Sequence, residues 1–168
     1  MDEIQEQNER AIGEVFIDWY NQQNGTRFVY HGRPWEAPDL TYRDGERQLH
    51  FEITQAYYDE RDAEFKWRGA RGDPNAPTRW SGVNATEKLF SSINGLLSEK
   101  CSADYGPGCA LIIYVSPPVT LAEDVERELE SIIVPSRNSF EGIYLIGDFG
   151  KNLLDAASKG GYRCWKLA

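Results

Sequence analysis

Apolar side chains at Ile4, Ala11, Ile12, Val15, Phe16, Trp19 and Tyr20 recur at the three-four spacing of a helix over residues 4–22, and Asn24-Gly25 supplies its stop. From Arg27 the period changes. Segments 27–31, 38–43 and 48–58 are rich in Phe, Val, Tyr, Thr and Ile, and Arg43-Asp44-Gly45-Glu46 between the last two reads as a hairpin turn, so a meander of about three strands is predicted. Residues 59–83 are polar and broken by Gly69, Gly72, Pro74, Pro77 and Gly82, which predicts an elaborated loop with room for a short helix over 63–70. Leu89, Phe90, Ile93, Leu96 and Leu97 mark a helix over 86–100, and Gly106-Pro107-Gly108 leads into a buried strand over 109–115. Thr120 with Glu123 fits a capping box for a helix running to about 133. A strand over 142–146, a small helix over 151–158 and an edge strand over 162–167 complete the reading. Helices between the later strands make those strands parallel. The expected fold class is therefore α/β, with a mixed central sheet of antiparallel meander plus parallel strands, flanked by helices.

The length of 168 residues suits one domain spanning 1–168, and 40% hydrophobic residues with five Trp exclude a disordered chain. The net charge of −9 removes the long-range attraction on which non-specific DNA binders rely, so any polyanion must be gripped locally. Met1-Asp2-Glu3-Ile4-Gln5-Glu6 lacks the basic start and apolar run of a secretory leader, and the longest apolar run, 109–115, is far too short to span a bilayer. A cytoplasmic protein that does not enter a membrane is expected. Cys101, Cys109 and Cys164 are odd in number and without CxxC spacing, which favours free thiols over disulfides or zinc.

The chemistry concentrates at the predicted hairpin. In Gln48-Leu49-His50-Phe51-Glu52-Ile53-Thr54 the alternation sends Leu49, Phe51 and Ile53 to one face and His50, Glu52 and Thr54 to the other. A two-residue turn at Asp44-Gly45 sets Asp39 opposite His50 and diagonal to Glu52; a loop two residues longer sets Asp39 directly opposite Glu52. Both registers put the two carboxylates on one face. Carboxylates this close repel unless a cation or proton intervenes, and oxygen-only ligands suit Mg²⁺ or Mn²⁺. The alternative is a solvated hairpin face carrying ordinary charges.

Pro38-Asp39 followed by Phe51-Glu52-Ile53-Thr54 resembles the PD-(D/E)xK nuclease superfamily, over about residues 10–147. The resemblance implies a restriction-endonuclease-like core of a helix, a three-strand meander, a helix and a further strand. It implies hydrolysis of DNA phosphodiesters, with Asp39 and Glu52 as ligands of Mg²⁺ or Mn²⁺ and Glu14, in Gly13-Glu14 of the first helix, as an outer ligand. The family's last motif position normally holds Lys, and here it is Thr54, whose hydroxyl offers only a neutral hydrogen bond. Relatives that recruit a Lys from the following helix point to Lys88; its alternative is a solvated place in that helix's first turn. Gln55 is a weaker substitute because it faces away from Glu52.

Lys66, Trp67, Arg68, Arg71, Arg79 and Trp80 form a basic and aromatic concentration in an otherwise acidic chain, suited either to holding nucleic acid or to packing a long loop onto the body. The expected partner is nucleic acid, DNA first. A catalytically silent nuclease-like fold that binds nucleic acid or protein, or that forms a homodimer, is the competing reading, and Thr54 and the net charge favour it. His31 and His50 read as structural, although His50 shares a face with Glu52. Arg71-Gly72-Asp73 and Asp148-Phe149-Gly150 match an adhesion tripeptide and a kinase motif without the context either needs.

Overall fold

The computed structural model describes residues 3–76, 82–115, 120–149 and 161–168. Helix α1 (Glu3–Asn24) buries Glu9, Ile12, Gly13, Phe16 and Ile17, a stripe at helical spacing. It ends where Gly25 takes φ +63° and the Thr26 N–H reaches the Asn21 carbonyl at 3.2 Å, the six-to-one bond of a Schellman cap. The Asn21 side chain then ties the exit to the next segment: its Oδ1 accepts from the Phe28 N–H at 2.9 Å and its Nδ2 donates to the Phe28 carbonyl at 2.9 Å.

Strands β1 (Val29–Gly32), β2 (Leu40–Asp44) and β3 (Arg47–Ala56) form the antiparallel meander. The β2–β3 register pairs Asp44 with Arg47 and Leu40 with Phe51, so the turn is Gly45-Glu46. Gly45 has φ +62° at the first central position, where a type II′ turn takes glycine. Continued by one step, this register sets Asp39 opposite Glu52. The two-residue turn is slid one position from the predicted one and not lengthened, and Asp39 itself lies outside β2, meeting β3 through its carboxylate on the Ile53 N–H.

Segment 59–83, expected as a loop, contains an 11-residue helix, α2 (Glu60–Ala70). Asp59 nucleates it: its carboxylate accepts from the Asp62 N–H at 2.9 Å. Helix α3 (Ala85–Lys100) follows, then β4 (Cys109–Val115), α4 (Ala122–Glu128) with a 3₁₀ turn over Leu129–Ser131, β5 (Gly142–Phe149) and β6 (Gly161–Lys166). The predicted capping box at Thr120 does not form. Thr120 is drawn inward, its N–H donating to the Tyr58 hydroxyl at 3.1 Å, and α4 starts after Leu121. The helix expected over 151–158 lies outside the described residues.

The six strands lie in the order β1-β2-β3-β4-β5-β6, with β3, β4 and β5 parallel and β6 antiparallel to β5. The open mixed α/β sheet anticipated from the pattern is therefore present. All seven residues of β4 are buried, as a central strand covered on both faces requires. One face packs Leu40, Tyr42, Leu49, Phe51, Ile53 and Ile112 against Ile12, Phe16 and Ile17 of α1. The other packs Ala56, Leu111, Ile113 and Leu145 against Leu89, Phe90, Ile93 and Leu97 of α3 and Val125 of α4. No described helix is long and apolar enough to cross a membrane.

Candidate active site

Because β3 alternates, Glu52 points to the α3 face of the sheet while its neighbours Phe51 and Ile53 join the α1 core. Glu52 is buried, 6% exposed. One carboxylate oxygen, Oε1, accepts from Lys100 Nζ at 2.9 Å. The other, Oε2, is buried with no partner at hydrogen-bond geometry among the described residues, although the Tyr105 hydroxyl belongs to the same cluster, its pKa raised by burial and by Glu52. A buried polar oxygen left unmet costs on the order of 1–3 kcal/mol, so a further partner at Oε2 would be stabilising.

Asp39 stands just before β2 at the open end of the hairpin. Its Oδ2 accepts from the Ile53 N–H at 2.8 Å, which anchors the carboxylate one residue from Glu52. Burial, joined by the negative charges of Glu52 and Glu9, pushes the Asp39 carboxyl up to about 6, against the opposing effects of the Ile53 N–H and Arg33. The two acids are thus near enough for the charge of Glu52 to help raise the Asp39 carboxyl.

Two other expected participants lie elsewhere. Glu14 is 45% exposed on its side chain, bonded to Arg10 Nε at 2.8 Å and accepting from the Tyr42 hydroxyl at 3.3 Å. The α1 acid that acts on Asp39 is Glu9: Arg33 bridges the two, bonding Glu9 and lying 3.7 Å from Asp39 Oδ1. The signal for Glu9 was available, since residues 9, 12, 13 and 16 form one buried stripe that passes Glu14 by. Lys88 pairs with Asp59 at 3.2 Å. Strand β4 runs parallel to β3, so the connecting α3 must travel backwards along it, beginning beyond the far end of β3 and finishing near Glu52. Lys88 and Lys100 are about 18 Å apart along the helix axis. Lys100 continues the stripe Leu89, Ile93, Leu97, so helical spacing marked this lysine also.

Burial alone would lower the Lys100 pKa, but its hydrogen bond to Glu52 and the charge of Glu52 outweigh this and raise it above the ordinary value. Lys100 is therefore a permanent cation at neutral pH. Thr54, half-buried, sits on the Glu52 face one step nearer the open end. Beneath them Cys109 is fully buried, and burial with the nearby charges of Glu52, Asp39 and Glu141 pushes its thiol up to about 12, so it stays neutral. His50 bonds the Thr41 hydroxyl at 2.9 Å, and burial lowers its pKa, consistent with a structural role.

The basic segment is largely tied up internally. Lys66 bonds Asp62 at 2.9 Å, and Arg68 bonds Glu64 at 2.6 Å, Asp73 at 2.7 Å and the Asn75 carbonyl at 3.1 Å. The Arg71 guanidinium lies 5.8 Å from the Trp67 ring. These partners all lie within residues 62–75, so the cations named here are engaged by the segment's own side chains and backbone. Arg79 and Trp80 lie outside the described residues.

Among the described residues, no group of three or more His, Cys, Asp or Glu side chains is gathered as a closed metal cage requires. The donor set that does exist is a pair of carboxylates with one orphaned oxygen. This fits a hard cation such as Mg²⁺, which is commonly held by one or two carboxylates with water and substrate phosphate oxygens completing its shell. No family model, curated protein or solved structure matches this chain.

Proposed function

We propose that the protein is a Mg²⁺- or Mn²⁺-dependent nuclease acting on DNA phosphodiesters, with Asp39 and Glu52 as cation ligands and Lys100 in the part that Thr54 leaves vacant. The observation that carries this reading is the orphaned Oε2 of buried Glu52, on a carboxylate whose other oxygen is already held by Lys100. The element order supports it: α1, the β1–β3 meander, α3 and β4 follow the helix, meander, helix and strand that the hairpin motif implies, with α2 as an insertion. Bound between Asp39 and Glu52, the cation would supply Lewis-acid chemistry, activating water and offsetting phosphate charge. The protein's own groups do the rest. Asp39 is oriented by the Ile53 N–H, Glu52 is oriented by Lys100, and the ammonium of Lys100 remains protonated, so it offers charge and hydrogen bonds to a phosphate and does not act as a base.

Isothermal titration with Mn²⁺, paired with cleavage of end-labelled DNA, tests the reading. Wild type should bind Mn²⁺ and cleave; Asp39→Ala and Glu52→Gln should do neither. Lys100→Met should bind Mn²⁺ but lose cleavage by about two orders of magnitude, the scale of one oriented electrostatic group, whereas Lys88→Ala should cleave normally. Thr54→Lys in the Lys100→Met background should restore cleavage, because position 54 shares the Glu52 face. Absent Mn²⁺ binding in the wild type would leave the silent-fold alternative. Loss of cleavage in Lys88→Ala with full activity in Lys100→Met would return the role to Lys88.

A further inference from the structure

Beside the candidate site, the N-terminal half of α1, the end of β3 and α2 enclose a cavity that the metal chemistry does not use. Its outer part is about 300 Å³, and its inner part, about 210 Å³, shares Asn8, Gln55, Tyr57 and Trp67 with it. The walls and rim differ in chemistry. Trp67 and Tyr57 are flat aromatic surfaces, and Gln5, Asn8 and Gln55 each carry an amide with both donors and an acceptor. The walls are fixed in place: Trp67 hydrogen-bonds the Tyr57 side chain, whose hydroxyl in turn donates to Gln55 Oε1 at 2.9 Å.

Flat π-walls with amides at the edge recognise a planar heterocycle bearing donors and acceptors on its rim, the chemistry of a nucleobase. A phosphate is a poor occupant. The cavity's cation, Lys66, is bonded to Asp62, and its inner end is the carboxylate of Glu9. Location supplies the second argument. The inner part is bounded by Glu9, which holds Arg33, and by Ile53, whose N–H holds Asp39. A base seated there brings its own sugar-phosphate strand toward Asp39 from the α1 side of the sheet, the side opposite Glu52.

We infer that this cavity binds one unpaired nucleobase of the substrate strand, so that the preferred polymer is single-stranded or locally unpaired nucleic acid. The inference rests on the nuclease reading for the fate of the strand, while the base recognition itself needs no metal. A paired base cannot enter, because its rim is already hydrogen-bonded and its faces are stacked.

The test uses a short oligodeoxynucleotide carrying a single 2-aminopurine, titrated with the full chain in EDTA at low salt. The same strand annealed to its complement is the control. Wild type should change the 2-aminopurine fluorescence of the single strand and bind it at least about tenfold more tightly than the duplex. Trp67→Ala should weaken single-strand binding about tenfold or more, the scale of losing one base–aromatic stack, and Trp67→Phe should retain most of it. Gln55→Leu, which keeps the wall and removes the amide, serves where Trp67→Ala unfolds, and it too should weaken binding. No single-strand binding by the wild type, equal affinity for both forms, or unchanged binding in Gln55→Leu and Trp67→Ala overturns the inference. The two readings fail separately. Selective binding in EDTA without Mn²⁺-dependent cleavage keeps the base pocket and rejects the nuclease, whereas cleavage indifferent to Trp67 and Gln55 does the reverse.

Discussion

Helices α1 and α3 cover opposite faces of one sheet, yet they deliver charge to it differently. At Gly13, α1 lies so near the sheet that an added Cβ would fall 2.5 Å from Leu40 Cδ1 and 2.7 Å from the Tyr42 hydroxyl oxygen. Gly95 of α3 faces solvent, and a Cβ added there would meet nothing within 4 Å. The buried charge of α1, Glu9, is closed into a chain through Arg33 to Asp39, whereas α3 brings Lys100 to a Glu52 that keeps one oxygen unmet. The α1 face is a settled ionic clamp that positions Asp39. The α3 face holds the unsatisfied valence, and it is there that a ligand gains most.

Removing the clamp should have the largest effect. Arg33→Met leaves Glu9 and Asp39 buried with no shared cation, and breaking such a pair costs on the order of 3–5 kcal/mol. Urea denaturation should show the loss growing from pH 5 to pH 8, as Asp39, whose carboxyl is raised to about 6, becomes charged. A loss under about 1 kcal/mol at pH 8 would mean that the guanidinium is solvated and the clamp idle.

Asp39→Asn sharpens the contrast at the junction of the two faces. The folded carboxyl is raised from 3.8 to about 6. Below pH 3.8 it is protonated in both states and contributes nothing against folding. As pH rises through 4 to 6 the unfolded chain releases its proton first, and stability falls by up to about 3 kcal/mol. Asparagine keeps an oxygen for the Ile53 N–H and cannot ionise. In EDTA the variant should therefore match wild type near pH 3.5 and exceed it by about 2–3 kcal/mol at pH 7.5. Equal stability at both pH values would show that Asp39 titrates normally.

The same comparison explains what the sequence made legible. Strand alternation and a turn sufficed to make Asp39 and Glu52 neighbours, although Arg33 ties the Asp39 carboxylate to Glu9 of α1 while Glu52 meets Lys100 of α3. The participants that reach the site from helices, Glu9 and Lys100, sit on readable buried stripes, whereas Glu14 and Lys88, which the family resemblance implies, lie just off them. For Lys88 a further step was missing: a helix joining parallel strands runs antiparallel to them, so its last turn, not its first, returns toward Glu52. Arg33 was not legible, since its partners come from α1 and from the start of β2, and no local period links positions 9, 33 and 39. Thr120 shows the opposite failure, in which a correct local cap signal lost to a buried tertiary partner, Tyr58.

The smallest effect contrasts a helix face pressed on the sheet with one turned to solvent, by making one substitution at two sites. Alanine favours a helix interior over glycine by about 1 kcal/mol. At Gly95, exposed and with open space around it, that preference should appear undiminished, and Gly95→Ala should stabilise the protein by about 0.5–1 kcal/mol. At Gly13 the same methyl group meets Leu40 and Tyr42, which are 1% and 0% exposed and cannot swing away. Overpacking of this kind costs about 1–3 kcal/mol, which exceeds the propensity gain, so Gly13→Ala should be destabilising by about 1–2 kcal/mol. The denaturation midpoints should therefore move in opposite directions with unchanged slopes. Midpoints that both rise would mean that α1 can lift from the sheet far enough to admit the methyl group, and that the clamp around Asp39 is not rigid.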